Sequence, residues 1–203
     1  MTLKIRRQNT SILDTFNDED IQNEYDTMNV PIIADNIFNA YQKYKNGNGV
    51  YSGYKPKSID ELRNWIHDQN DDGVKDLDVS WIDVSDMTDL SDCFKKNFDQ
   101  HGYQFEEIIG LDKWVVSNVE NMYGMFETLP KLKTLKDIEN WNVKNVTNMG
   151  RMFLNTCKGS LKPLDLSKWN VRNVTRMDTM FALCNLAKIK GIENWDVRNV
   201  KYL

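Results

Sequence analysis

The sequence predicts an α+β repeat protein, a right-handed solenoid of about five short strand–turn–helix coils behind an N-terminal helical cap. Three observations predict this fold class. A tryptophan-headed pattern recurs over the C-terminal part of the chain, each copy joins a period of two residues to a period of three or four, and a capped amphipathic segment precedes the first copy. One copy cannot bury its apolar stripe alone, whereas stacked copies share a continuous core.

The repeat follows the pattern W-x-V-x-N-V-x-x-M-x-x-M-F. The copies are headed by Ile82 (a degenerate copy), Trp114, Trp141, Trp169 and Trp195, at spacings of 32, 27, 28 and 26 residues. The repeated side chains are predicted to be structural, because an asparagine amide can bridge adjacent coils and a phenylalanine fills the core. Besides the heads they are Asn118, Asn145, Asn173, Asn199, Phe94, Phe126, Phe153 and Phe181. Ligand binding is the alternative for the asparagines.

The spacing of apolar residues predicts the local structure of a coil. Leu164 and Leu166, then Trp169 and Val171, alternate with a period of two, which is typical of a short strand. The following apolar residues recur at intervals of three and four, the period of a helical or 3₁₀ turn. They are Val174, Met177, Met180 and Phe181. Each coil is therefore predicted to be a strand, a turn and a short helical segment.

Two copies resemble the repeat of a known family. Trp141–Phe153 reads WNVKNVTNMGRMF and Trp169–Phe181 reads WNVRNVTRMDTMF. Both are similar to the repeat of BspA-type leucine-rich-repeat-like surface proteins, which are common in mycoplasmas and also occur in large DNA viruses. The resemblance extends over about residues 58–203. It implies a leucine-rich-repeat-like fold and a non-enzymatic binding role at a cell surface, with no catalytic residues to transfer.

The chain is predicted to have two regions. Residues 58–203 hold a capping helix, begun by the capping box of Ser58 and Glu61, and the repeats. Residues 1–57 form a helical or extended segment, with a helix after Pro31, which either packs on the solenoid or acts as a partner-binding arm. The last copy stops at Leu203. We therefore expect this edge to dock on another protein or a second copy of the chain, unless the copy ends the stack by itself.

Charge is distributed unevenly along the chain. The net charge is −4, but residues 1–109 carry −10 and residues 110–203 carry +6. Opposite fields at two ends favour head-to-tail association, although a solvated surface is the alternative. The sequence contains no run long enough to span a membrane and no secretory apolar leader. We expect a location in the cytoplasm or within a virus particle, whereas the resemblance alone suggests the cell surface.

Catalytic chemistry is not predicted. The two histidines, His67 and His101, lie far in sequence from the three cysteines, Cys93, Cys157 and Cys184, and no nucleophile or phosphate-loop motif occurs. An odd number of cysteines favours reduced thiols, which we interpret as core fillers. The chain is therefore predicted not to be an enzyme and to need no cofactor.

One acidic segment weakly resembles a calcium-binding loop. Asp68, Asn70, Asp72 and Asp76 stand at loop-like spacing with Gly73 between them, but the position of the final bidentate glutamate is occupied by a valine. We regard this segment mainly as a hydrated turn and retain a weak Ca²⁺ site as the alternative.

A basic stripe is the candidate binding feature. Three residues after their heads stand Lys144, Arg172 and Arg198, which stacking should align on one face. Like charges on adjacent strands repel, so an anionic partner such as an acidic protein surface or an anionic glycan is one explanation, and a solubilising face is the other. Nucleic acid is disfavoured because the net charge is negative.

The predicted function is a non-enzymatic interaction or adhesion module that binds a protein or glycan through the regular face of the solenoid. The alternative is a structural subunit of a larger assembly, such as a viral capsid, joined through the N-terminal arm and the open C-terminal edge.

Overall fold

The structure is a computed structural model of the chain, and it describes residues 36–46, 53–96, 102–156, 162–185 and 188–203. The chain divides into two compact units, Met1–Asn36 and Ile37–Leu203, and every element below belongs to the second. The predicted N-terminal arm up to residue 35, the helix start at residues 32–35, the turn at residues 47–49, His101 and Cys157 lie outside the described residues.

Two α-helices precede the repeats. Helix α1 spans Ile37–Asn46 and helix α2 spans Ile59–Asp71. Ser58 is the N-cap of α2, because its hydroxyl accepts a hydrogen bond from the Glu61 N–H at 3.1 Å. The Glu61 carboxylate also accepts from the first N–H of α1 at 3.1 Å and from the Tyr54 hydroxyl at 2.6 Å. This carboxylate therefore ties the start of α1 to α2.

The five repeat copies, here called coils 1 to 5, occupy residues 75–96, 106–128, 133–156, 162–185 and 188–203. Parallel strands pair neighbouring coils along one side. Strand β1 (Asp76–Asp78) pairs with β2 (Glu107–Ile109), and β3 (Leu164–Asp165) pairs with β4 (Ile189–Lys190). A bridge from Glu107 to Thr134 continues the first pair into coil 3. The inward residues of this side form a buried column, which is Leu77, Ile108, Leu135, Leu164 and Ile189.

A second parallel ladder runs through all five coils, at the position seven residues after each head. It consists of isolated bridges between successive coils, through Asp89, Asn121, Asn148, Arg176 and Tyr202. Backbone hydrogen bonds extend it, such as the bond from the Met149 N–H to the Arg176 carbonyl at 2.8 Å. Neighbouring coils are therefore joined in parallel and in register.

The repeated apolar residues fill the space between the two ladders. The valine two residues after the head is at most 2 % exposed in coils 1 to 4, and the phenylalanine of coils 1 to 3 is fully buried. Phe94, Phe126, Phe153 and Phe181 stack in one column, with ring centroids 5.3–5.7 Å apart. This column crosses four coils, so burial is shared between neighbours.

The second half of each coil differs from the sequence prediction. The expected short helical segment, such as Val174–Phe181, is instead a ladder bridge followed by tight turns. The physical reason is a left-handed residue ten positions after each of the first four heads, which breaks a helix. These residues are Asp92, Gly124, Arg151 and Thr179, with φ between 50° and 61°. The inward spacing of three and four survives because each turn returns a side chain to the core.

Short 3₁₀ helices, which the sequence analysis did not predict, lead into three of the heads. They span Leu111–Lys113, Ile138–Asn140 and Ile192–Asn194. Two of them follow glycines of positive φ, Gly110 and Gly191, where a Cβ would lie 2.3–2.5 Å from atoms of a serine in the preceding coil. Glycine is therefore required there for the coils to approach each other.

An aromatic cluster covers the outer face of coil 1. Trp81, which is fully buried, has ring centroids 5.2 Å from Trp65 of α2 and 5.6–5.7 Å from Tyr41 and Tyr44 of α1. Tyr54 lies 6.0 Å away and also forms a bridge with Ile82. The first coil is therefore covered by aromatic side chains from both helices and by an added strand-like segment.

Candidate interaction surface

The tryptophan heads connect each coil to the one before it. In coils 2 to 5 the indole N–H donates to the carbonyl three residues before the preceding head, at 2.8–3.2 Å. The acceptor for Trp114 is Val79, which stands three residues before Ile82. The degenerate copy headed by Ile82 is thus in the same register as the others, and Trp81 beside it belongs to the aromatic cluster.

The repeated asparagines form a second connection. Asn118, Asn145, Asn173 and Asn199 each donate a side-chain N–H to the carbonyl three residues after the preceding head, at 2.7–2.8 Å. The acceptors are Ser85, Ser117, Lys144 and Arg172. These amides therefore bridge adjacent coils, as expected from stacking, and their donor groups are occupied by the backbone.

The basic stripe lies on an exposed face, but two of its members share one carboxylate. The Arg172 Nε lies 3.2 Å and the Arg198 Nε 2.8 Å from Asp196. The hydrogen bond from Arg198, followed by that from Arg172, holds the pKa of Asp196 below its ordinary value. Lys144 is exposed, and among the described residues no carboxylate pairs with it. Asp196 thus reduces the net positive charge of this face, and an anionic partner stays a prediction.

Sequence reasoning missed an aromatic and cationic row on the outward side of the second ladder. We call Tyr123, Arg176 and Tyr202 the tyrosine–arginine row. The Arg176 guanidinium lies 5.7 Å from the centroid of each tyrosine ring, and Arg151 lies 6.0 Å from the Tyr123 ring. Cation–π contacts of this kind link coils 2, 4 and 5. Outward positions seven and nine residues after the heads were the sequence signal that could have found the row.

Carboxylates hold the arginines of this side in place. Arg176 hydrogen-bonds to Asp178, and this bond holds the pKa of that carboxyl below its ordinary value. Arg151 hydrogen-bonds at 2.6 Å to Glu127, whose side chain is 6 % exposed and also lies 3.3 Å from Lys95. The arginine side chains are therefore ordered, which lowers the entropy lost on contact with a partner.

The proposed calcium ligands do not gather in one place. Asp68 and Asn70 lie within α2, and Asp72 is its C-cap, so the expected loop is mostly helical. The Asn70 Oδ1 accepts a hydrogen bond from the Gln104 N–H at 3.0 Å, and Asp76 begins β1. Within the described ranges no group of three or more histidine, cysteine or acidic residues is placed to hold a metal. The weak Ca²⁺ alternative therefore lacks an assembled ligand set here.

The described imidazole and thiols are well separated in environment. His67 lies 3.7 Å from Asp71 on the exposed side of α2. Cys93 is fully buried, and burial raises the pKa of its thiol. The Cys184 thiol donates to the Phe153 carbonyl at 3.0 Å. A shallow cleft of about 400 Å³ between coils 3 and 4 is lined by Lys136, Asp165, Lys168 and neighbours, and contains neither residue type.

The parallel register of these coils and the inward placement of their repeated residues define a repeat protein with a stacked interior. The chain belongs to the family described as Mycoplasma protein of unknown function, DUF285, whose model matches residues 62–161 and 88–203. Membership of a mycoplasma-type repeat family is therefore confirmed. Searches of curated proteins and of solved structures returned no match. Within the described residues no helix has the length and apolar character needed to cross a bilayer.

Proposed function

We propose that residues 58–203 form a right-handed, leucine-rich-repeat-like solenoid of the BspA type. We further propose that the protein is a non-enzymatic interaction module, which binds a protein or a glycan through the regular outer face. One observation supports this most strongly. The tryptophans, asparagines and phenylalanines of the repeat contact neighbouring coils, so the residues that vary between coils occupy the outside.

The tyrosine–arginine row is the best candidate for the contact. Tyrosine and arginine are enriched among residues that dominate binding energy, because they combine a large rigid surface with polar atoms. Tyr202 is 61 % exposed, and the Arg176 side chain is 48 % exposed. Their mutual contacts order both side chains before any partner arrives.

Binding to immobilised ligands tests the proposal. We would measure the chain against a panel of neutral glycans, sulfated glycans and host surface proteins. We expect Arg176→Ala to weaken binding at least tenfold with an unchanged melting temperature. Lys113→Ala is the matched control, because Lys113 is an exposed cation that also pairs with a neighbouring carboxylate, 2.7 Å away. Equal binding by the wild type and both variants would contradict the assignment of the row.

The basic stripe is distinguished in the same experiment. If an anionic glycan is the ligand, Arg172→Ala combined with Arg198→Ala weakens binding, and affinity falls steeply with salt. If the partner is neutral, the double variant binds like the wild type. Lys144→Ala reports on the one stripe residue that has no carboxylate partner among the described residues.

A structural subunit of a larger assembly, such as a viral capsid, is the second candidate. It is favoured by apolar residues of coil 5 that are exposed, among them Leu203 at 92 %. Cross-linking of the native assembly would separate the two candidates. A structural subunit should be cross-linked to neighbours through coil 5, whereas a recognition module should be cross-linked through the row.

A further inference from the structure

The end of the stack formed by coil 5 exposes positions that are buried in every other coil. The valine two residues after the head is 0–2 % exposed in coils 1 to 4, but Val197 is 45 % exposed. The residue eight after the head is 0–5 % exposed in those coils, whereas Leu203 is 92 % exposed. Phe181 and Leu183 of coil 4 are uncovered at the same end. We call Phe181, Leu183, Val197 and Leu203 the end face.

The other coils show what kind of surface covers these positions. Each phenylalanine of the column packs on the next tryptophan, as Phe153 does on Trp169 at 6.2 Å. Each carbonyl three residues after a head receives an asparagine amide, but no described residue donates to the Arg198 carbonyl. The end face therefore matches an apolar surface with a polar rim, like the interior of a protein–protein interface.

A second copy of this chain can offer such a surface only through its own end face. The opposite end of the described unit is covered by Trp65, Trp81, Tyr41 and Tyr54, which pack together over coil 1. Head-to-tail stacking of described coils is blocked by this cluster. Pairing of like faces is left, and it requires a two-fold axis and closes at a dimer.

Charge on the rim is self-complementary for that arrangement. Asp196 and Arg198 stand on either side of Val197, and their side chains lie 2.8 Å apart. A two-fold axis beside Val197 places Asp196 of each copy opposite Arg198 of the other. We propose that two copies of the chain pair by their end faces, with Val197 at the centre and these charges at the rim. The inference rests on the solenoid and the assembly role proposed above.

Sedimentation equilibrium of the 203-residue chain, between about 1 and 200 µM, tests the proposal. We expect a mass of twice 23.8 kDa at high concentration. Val197→Lys and Leu203→Lys should each raise the dimer dissociation constant at least tenfold. Val115→Lys is the matched control, because Val115 is an equally exposed valine, at 54 %, next to the head of coil 2. It should dimerise like the wild type.

Charge reversal tests the axis itself. Asp196→Arg alone and Arg198→Asp alone should each weaken the dimer, and the combined reversal should restore it, with no change in melting temperature for any of the three. A monomer at all concentrations would overturn the inference, and so would equal weakening by Val115→Lys. A monomer whose end face is covered by another protein or by a further coil gives the same overturning result. A monomer that still binds its ligand through Arg176 leaves the proposed recognition function standing.

Discussion

At the scale of single residues, the coil is built on backbone conformations that side chains usually avoid. The position ten residues after the head is left-handed in coils 1 to 4, and the position fourteen after it is left-handed in coils 2 to 4. Only one of these positions holds glycine. Two of them hold a threonine, Thr128 and Thr179, although a β-branched residue is disfavoured there. The ladder and the core therefore compensate a local strain.

Relief of this strain should stabilise the protein. Thr179 is exposed and has φ of 53°. We expect Thr179→Gly to raise the free energy of unfolding by about 1 kcal/mol, because glycine adopts this conformation without penalty. The control is Thr88→Gly, at an exposed threonine outside the left-handed region, which should lose about 0.5–1 kcal/mol. Urea unfolding measures both, and destabilisation by Thr179→Gly would contradict the strain argument.

The asparagine bridge can be tested in the same way. Asn145 donates to the Ser117 carbonyl of the preceding coil at 2.7 Å. We expect Asn145→Ala to lower the free energy of unfolding by about 1 kcal/mol, the usual contribution of one hydrogen bond. Asn142→Ala is the control, because Asn142 makes only a 3.4 Å contact with the Lys144 N–H in its own turn. Equal effects of the two variants would remove the special role of the bridge.

At the scale of elements, each coil depends on its neighbours for burial. Phe153 is fully buried between Phe126 and Phe181, with nearly parallel rings. Phe181 occupies the same repeat position but is only partly buried, because the column ends there. Identical side chains at identical repeat positions therefore have different environments, and the difference depends only on whether a following coil covers them.

Alanine substitutions in the column should follow this gradient. We expect Phe153→Ala to cost about 3–5 kcal/mol of unfolding free energy, since it removes a buried ring between two others. Phe181→Ala should cost clearly less, about 1–2 kcal/mol, because part of that ring is already in water. Guanidinium unfolding of both variants measures the difference. Equal costs would mean that the end of the column is as well covered as its middle.

At the scale of the whole molecule, burial of ionisable groups makes stability depend on pH. Burial raises the pKa of the Cys93 thiol and of the Tyr103 phenol well above their ordinary values of 9.0 and 10.0. In the unfolded chain both groups ionise near those ordinary values, whereas in the folded chain they stay protonated. Their contribution to stability is therefore complete below about pH 9 and is lost as the pH rises further.

We accordingly expect the free energy of unfolding to fall between pH 9 and pH 11. The slope should approach about 1.4 kcal/mol per pH unit for each group that titrates only when unfolded. Tyr103→Phe removes one of these groups and should flatten the fall above pH 10. Urea unfolding at pH 8, 9, 10 and 11 measures the slope, and an unchanged slope in Tyr103→Phe would show that its phenol ionises equally in both states.

Much of the stack could be predicted from the repeat because identical spacing forces identical placement. The heads, the asparagines and the phenylalanines all occupy the places that their alignment indicates, including the copy at Ile82, where no tryptophan stands. The cap at Ser58 followed from three adjacent residues. The predicted helical segments did not form, because an apolar period of three to four also fits a series of turns whose left-handed residues carry no sequence signature.

By itself, the sequence determined the length of the coil, the inward set of residues and the register between copies, because repetition encodes these features locally. The tertiary structure alone decided which outward side chains meet. Tyr123, Arg176 and Tyr202 stand in three different coils, and Trp81 joins aromatic rings from two helices. Contacts of this kind depend on how far the coils are offset and on which ends are covered, and a pattern read along one copy contains neither quantity.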